Sequence, residues 1–132
     1  MGAEDFTAEG KGKTLEAAFR RAHDAATWEY GHGGYTGTIA EKGYAIEFPL
    51  PEGVSAWDFA RAAWSSQECY EFDSATQKMV LRPGKTPEWV KDGSYPLETW
   101  RRVVSTAEDK WGPACAVRIG PDEFFFFGLA SY

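Results

Sequence analysis

Two imidazoles, His23 and His32, and two thiols, Cys69 and Cys115, are the side chains of this sequence best suited to bind a metal or attack a substrate. Together they would make four zinc ligands. A locally built zinc site, however, draws two ligands from one short turn, at CxxC or HxxxH spacing. None of the four is paired in that way, so we expect no metal and no cofactor. For nucleophilic chemistry, Cys69 has Glu68 and Glu71 as neighbours, and their charges suppress a thiolate. Cys115, between Ala114 and Ala116 in a β-rich run, reads as a small buried residue. No GxSxG elbow occurs. No residue is assigned a catalytic role on these grounds.

The run YGHGGYTGTIAEK, residues 30–42, raises a different possibility. Glycine loops cradle phosphate when they lead from a strand into a helix, because the free N–H groups and positive end of the helix meet the anion. Here the order is reversed. The loop leaves the end of a helix, where carbonyl groups carry partial negative charge, so its glycines read as a stop that swings the chain into a strand. His32 suits that position, since a helix C-terminus favours an imidazolium. It could work as an acid or base beside Tyr30, Tyr35 and Thr36, or simply cap the helix. His23, beside Asp24 and off the apolar stripe of its helix, reads as solvated. His32, Tyr35, Thr36 and Glu41 are therefore one candidate ligand site.

Six tryptophans in 132 residues form the other candidate. A domain of this size does not easily hide so many indoles, and tryptophan is enriched at the buried centres of interfaces. Trp57, Trp64 and Trp111 are taken as interaction candidates; the competing reading makes these indoles half-buried rims of a monomer.

Residues 1–13 are polar and glycine-spaced and are expected to form a flexible segment ahead of one domain spanning 14–132. Thr14 caps a helix whose stripe runs Leu15, Ala18, Phe19, Ala22, Ala26 and Tyr30. Thr36–Ala40 and Tyr44–Leu50 read as strands. Ser55 and Asp58 form a capping pattern for a second helix, reaching about residue 66. In the less legible segment 67–92, Cys69–Phe72 and Met79–Leu81 could pair, Pro83–Gly84 marks a turn, and Thr86–Pro87 could cap a single helical turn. A third helix starts at Pro96 and carries Leu97, Trp100, Val104, Ala107 and Trp111. The chain closes on a hairpin, ACAVRI against FFFFGLA, turning at Gly120–Asp122. Four consecutive phenylalanines make that last strand central or covered on both sides.

The formal charge of −6 arises from 20 acids against 14 bases, with the bases scattered. This disfavours duplex nucleic acid, which needs a continuous basic face. The acids are scattered as well, so an acidic nucleic-acid mimic stays a minor alternative. No apolar run is long enough for a signal sequence or a membrane span. A cytoplasmic protein with reduced thiols and no membrane association is expected.

YGHGGYTGTIAEK, DKWGPA (109–114) and FFFFGLAS (124–131) resemble stretches of an uncharacterised group of small bacterial, archaeal and phage-encoded proteins without assigned activity. The resemblance covers about a third of the chain. It implies a compact domain, a phage-related or mobile-element origin, and a pairing of the TGTIAEK strand with the FFFFG strand that would bring His32, Tyr35 and Trp111 together. The expected fold is a single α+β domain, with an antiparallel sheet of about three to five strands and two or three helices on one face. The expected function is a non-enzymatic binding or protein-interaction module, with a homodimer as one form of it. The alternative is a small hydrolase or transferase with its pocket at His32, Tyr35, Thr36 and Glu41.

Overall fold

The structure is a computed structural model and describes residues 2–31, 36–66, 70–81 and 87–131. Among the described residues ten strands and α-helices follow in chain order: β1 (Ala3–Lys11), α1 (Leu15–Tyr30), β2 (Ala45–Glu47), α2 (Ala56–Ser65), β3 (Tyr70–Asp73), β4 (Lys78–Leu81), α3 (Glu88–Lys91), α4 (Leu97–Glu108), β5 (Ala114–Gly120) and β6 (Glu123–Ser131). Four strands form the main sheet in the order β1-β6-β5-β2, and β3 with β4 make a separate hairpin. The fold is α+β, as expected. The sheet is mixed rather than antiparallel, because β2 runs parallel to β5, with Ala45 opposite Ala114.

Phe124, Phe125, Phe126 and Phe127 are all buried on β6. Side chains alternate across a strand, so the run feeds two cores. Phe124 and Phe126 pack with Ala18, Ala22 and Ala26 of α1. Phe125 and Phe127 pack with Phe59 of α2 and with Trp100, Val103 and Val104 of α4. Helices therefore cover both faces of the sheet, not one, because a strand aromatic on both sides needs apolar cover on both.

Residues 3–11 are an ordered edge strand instead of a flexible lead. All nine pair with β6, from Ala3 opposite Ser131 to Lys11 opposite Glu123. Phe6 and Ala8 join the α1 core while Asp5, Thr7 and Glu9 are exposed. This period-two pattern was masked by small and charged residues. Gly10 is required by close approach: a Cβ there would collide with the carbonyl oxygen of Ala18.

Helix α1 has the expected limits. Thr14 accepts from the Ala17 N–H at 3.2 Å, and Gly31, at φ 91°, donates to Thr27 O, a left-handed stop that glycine adopts without strain. The TGTIAEK segment is not a strand. Ile39–Glu41 form a 3₁₀ turn, since Thr38 bonds locally to the Ala40 N–H at 3.2 Å, an option threonine offers its own backbone. A backbone tie to β6 runs from Gly37 N to Ser131 O at 2.8 Å. The middle segments pair as expected, with Tyr70 opposite Leu81 and Phe72 opposite Met79; Cys69, the Pro83–Gly84 turn and the Thr86 cap lie outside the described residues. Helix α4 ends at Glu108, short of Trp111, because the Asp109 carboxylate accepts from the Trp111 N–H at 3.0 Å and turns the chain.

Substituting Gly10→Ala is expected to destabilise the fold by roughly 2–3 kcal/mol, as overpacking against backbone does. Urea denaturation measures it; a change below about 0.5 kcal/mol, the range of ordinary surface substitutions, would contradict the close approach of β1 and α1.

Candidate functional site

Lys42 is the least expected side chain in the structure. Only 2% of the residue is accessible, although a lysine is almost never fully buried without partners. Its Nζ donates to the carbonyl oxygens of Asp109 at 3.0 Å and Lys110 at 3.3 Å. Those groups follow the C-terminus of α4, where a cation is favoured by the helix dipole. The Phe6 ring centroid lies 5.8 Å from the ammonium. Burial lowers the Lys42 pKa from its ordinary value, and the Asp109 charge opposes that shift.

Lys42 also lines a cleft of about 550 Å³ between the first half of α1 and the start of β2. Leu15, Phe19 and Ala45 supply apolar wall, and Arg20, His23 and Tyr44 supply polar groups. His23, expected to be solvated, is a partly exposed wall of this cleft, 5.6 Å from the Phe19 ring centroid and with Nδ1 3.8 Å from an Asp24 oxygen. The carbonyl bonds of Lys42 hold the Asp109–Gly112 turn, and that turn carries Trp111, 63% exposed. The Lys110 ammonium lies 5.1 Å from the Trp111 ring centroid. Tyr44, also exposed, is tied to the same region by the bond from Ala114 N to Tyr44 O at 3.0 Å.

His32 and Tyr35 lie outside the described residues. Thr36 and Glu41 are brought together: one Glu41 carboxylate oxygen accepts from the Thr36 N–H at 3.0 Å and from its hydroxyl at 2.7 Å. The Thr36 hydroxyl also lies 2.8 Å from that of Thr38. These bonds fix the chain ahead of the 3₁₀ turn. Among the described residues, no group of three or more His, Cys, Asp or Glu is placed to hold a metal ion.

Trp57 and Trp64 meet edge to face on α2, with centroids 6.2 Å apart. Trp64 turns inward, 6.3 Å from the Phe127 ring, while Trp57 is 49% exposed. Trp89 and Trp100 pack with Phe59 and Tyr95 in the core. The indole N–H groups of Trp64, Trp89 and Trp100 meet no acceptor among the described residues, so aromatic packing must offset roughly 1–3 kcal/mol for each. Sequence reasoning missed two groups. Trp28 is 92% exposed and was detectable as a large aromatic off the α1 stripe. Lys42 carried no local signal, since its partners are 67 and 68 residues away.

Cys115 is a buried thiol whose pKa is raised by burial, Lys42 opposing. The Tyr95 phenol, bonded to Pro49 O at 2.9 Å, is likewise raised by burial. Neither is poised as a nucleophile near neutrality. No family model, no curated protein and no solved structure matches the chain.

Replacing Lys42 with Met should cost about 1–3 kcal/mol through the two unpaired carbonyls and speed amide exchange of Lys110–Gly112; unchanged stability and exchange would contradict the tie. A second expectation concerns alkaline pH. Unfolded Cys115 and Tyr95 ionise from their ordinary values of 9.0 and 10.0, whereas folding retains both protons. Their stabilisation is complete below those values and is lost as pH rises above them. Lys42 acts in the opposite sense below 10.5, because the folded state releases its proton first. A Cys115→Ala/Tyr95→Phe variant should therefore lose less stability than wild type between about pH 8 and about pH 11; equal losses would contradict the two assignments.

Proposed function

We propose that the protein is a non-enzymatic interaction module that docks a protein partner through aromatic anchors, with Trp111 on its Lys42-held turn and Tyr44 in the cleft as the principal pair and Trp57 on α2 as a further contact. The observation that carries this reading is the placement of Trp111: an indole 63% exposed on a turn whose backbone is held by a buried lysine. A rigidly mounted aromatic loses little freedom on binding, which is the property of an interface hot spot. The cleft that Tyr44 lines offers apolar walls with a few polar groups, the usual make-up of a recognition site. An accessory role in a phage or mobile element rests on the resemblance of residues 30–42, 109–114 and 124–131 alone.

The test is quantitative capture of partners from native lysate by the tagged full chain. Trp111→Ala with Tyr44→Ala should weaken capture about tenfold or more, the scale of losing an aromatic hot spot, at unchanged melting temperature. Capture that survives both changes, and Trp57→Ala as well, would overturn the reading.

A further inference from the structure

The outer edge of β1 pairs with no other strand among the described residues, although β1 is nine residues long and in unbroken register with β6. Long regular edge strands invite pairing with another chain unless proline, a bulge or charge prevents it. There is no proline or bulge in β1, so its charges decide what can pair there.

Two copies related by a two-fold axis normal to the sheet pair antiparallel with like faces matched, so the axis passes through one residue of β1. Centring on Thr7 sets Asp5 against Glu9 twice. Centring on Glu9 sets that carboxylate against itself. Centring on Phe6 leaves Lys11 beyond the paired stretch. Centring on Ala8 sets Asp5 of each copy against Lys11 of the other, Thr7 against Glu9, and the small Ala8 against itself. Centring on Gly10 also sets Glu9 against Lys11 but pairs only residues 9–11, so the Ala8 register is the longer one that brings opposite charges together, and Lys11 would then lie between Asp5 of the second copy and Glu123 of its own β6, already at 3.8 Å.

Helix α1 provides an independent indication. Leu15, Phe19 and His23 line the cleft toward β2. At 100° per residue, Ala25 and Trp28 fall on the opposite flank, beyond the buried Ala18, Ala22 and Ala26. Ala25 lines a groove of about 450 Å³ with residues 4–9 of β1, and Trp28 is 92% exposed. We infer that the protein forms a homodimer by antiparallel pairing of β1 with β1 centred on Ala8, giving one eight-stranded sheet with the two α1 helices side by side across the seam and Trp28 covered. This deepens the interaction reading and rests on it, with a second copy of the chain as the occupant.

Light scattering of the eluting full chain tests the seam. Wild type should show twice the 14.7 kDa chain mass. Asp5→Lys and Lys11→Asp should each raise the dimer Kd by about tenfold or more through like-charge opposition, and the double swap should restore it, with circular dichroism unchanged throughout. A monomeric wild type at about 100 μM, a concentration well above the Kd of specific complexes, overturns the dimer. So do single variants that dimerise as well as wild type, or a double swap that fails to recover. A dimer broken by Trp57→Ala or Trp111→Ala but not by Asp5→Lys refutes this seam while leaving the interaction reading intact; loss of partner capture is scored separately with Trp111→Ala and Tyr44→Ala.

Discussion

Four consecutive phenylalanines on one strand govern this structure. Burying a phenylalanine side chain is worth about 1.5–3 kcal/mol, so four amount to about 6–12 kcal/mol, comparable with the net stability of a whole domain. No arrangement that wets either face of β6 can survive that loss. The strand must be interior, with neighbours on both edges and helices on both faces. β1 and β5 supply the edges. The α1 alanines close over Phe124 and Phe126, and α2 with α4 close over Phe125 and Phe127.

The asymmetry of the two covers follows from side-chain size. On the α1 face, Ala18, Ala22 and Ala26 let the helix lie close to the sheet, and Gly10 removes the last obstacle. On the other face Phe59, Trp100 and Tyr95 fill a thicker layer. The close-lying helix directs one flank toward the β2 end, where it walls the Lys42 cleft, and the other over the outer edge of β1. Both surfaces to which a binding role is attached are thus consequences of how α1 seats on β6. Lys42 completes the arrangement by tying the end of α4 to the 3₁₀ turn, so that the Trp111 turn is presented by a framework rather than by a loop.

Local rules carried much of this. The limits of α1, the Ser55 cap of α2, the β5–β6 hairpin and the two-sided burial of β6 follow from capping residues, 3.6-residue stripes and one aromatic run. Some errors arose where a residue answered to a distant partner, and one where side chains bonded locally instead of letting the backbone extend. The β1 alternation of Phe6 with Ala8 and Gly10 is too weak in hydrophobicity to announce a strand, and it becomes one because β6 pairs with it. Thr36 and Thr38 have strand propensity, yet their hydroxyls spend it on a local network with Glu41. At the site, exposed tryptophans were foreseeable from their number, and Trp57 and Trp111 are exposed while Trp64 is not. The role of Lys42 was illegible, because nothing near it in the chain indicates a cation destined for carbonyls on the far side of the fold.

Native-state hydrogen exchange resolved by residue tests the organising role of β6 most directly. If one strand holds both cores together, the amides of Phe124–Phe127 exchange only through global unfolding, with the same denaturant dependence as the paired residues of β5 and the buried turns of α1 and α4. Exchange of the α1 face through a partial opening that leaves the α2–α4 face protected, with the Phe124–Phe127 amides released in that opening, would show two separable cores and contradict the account.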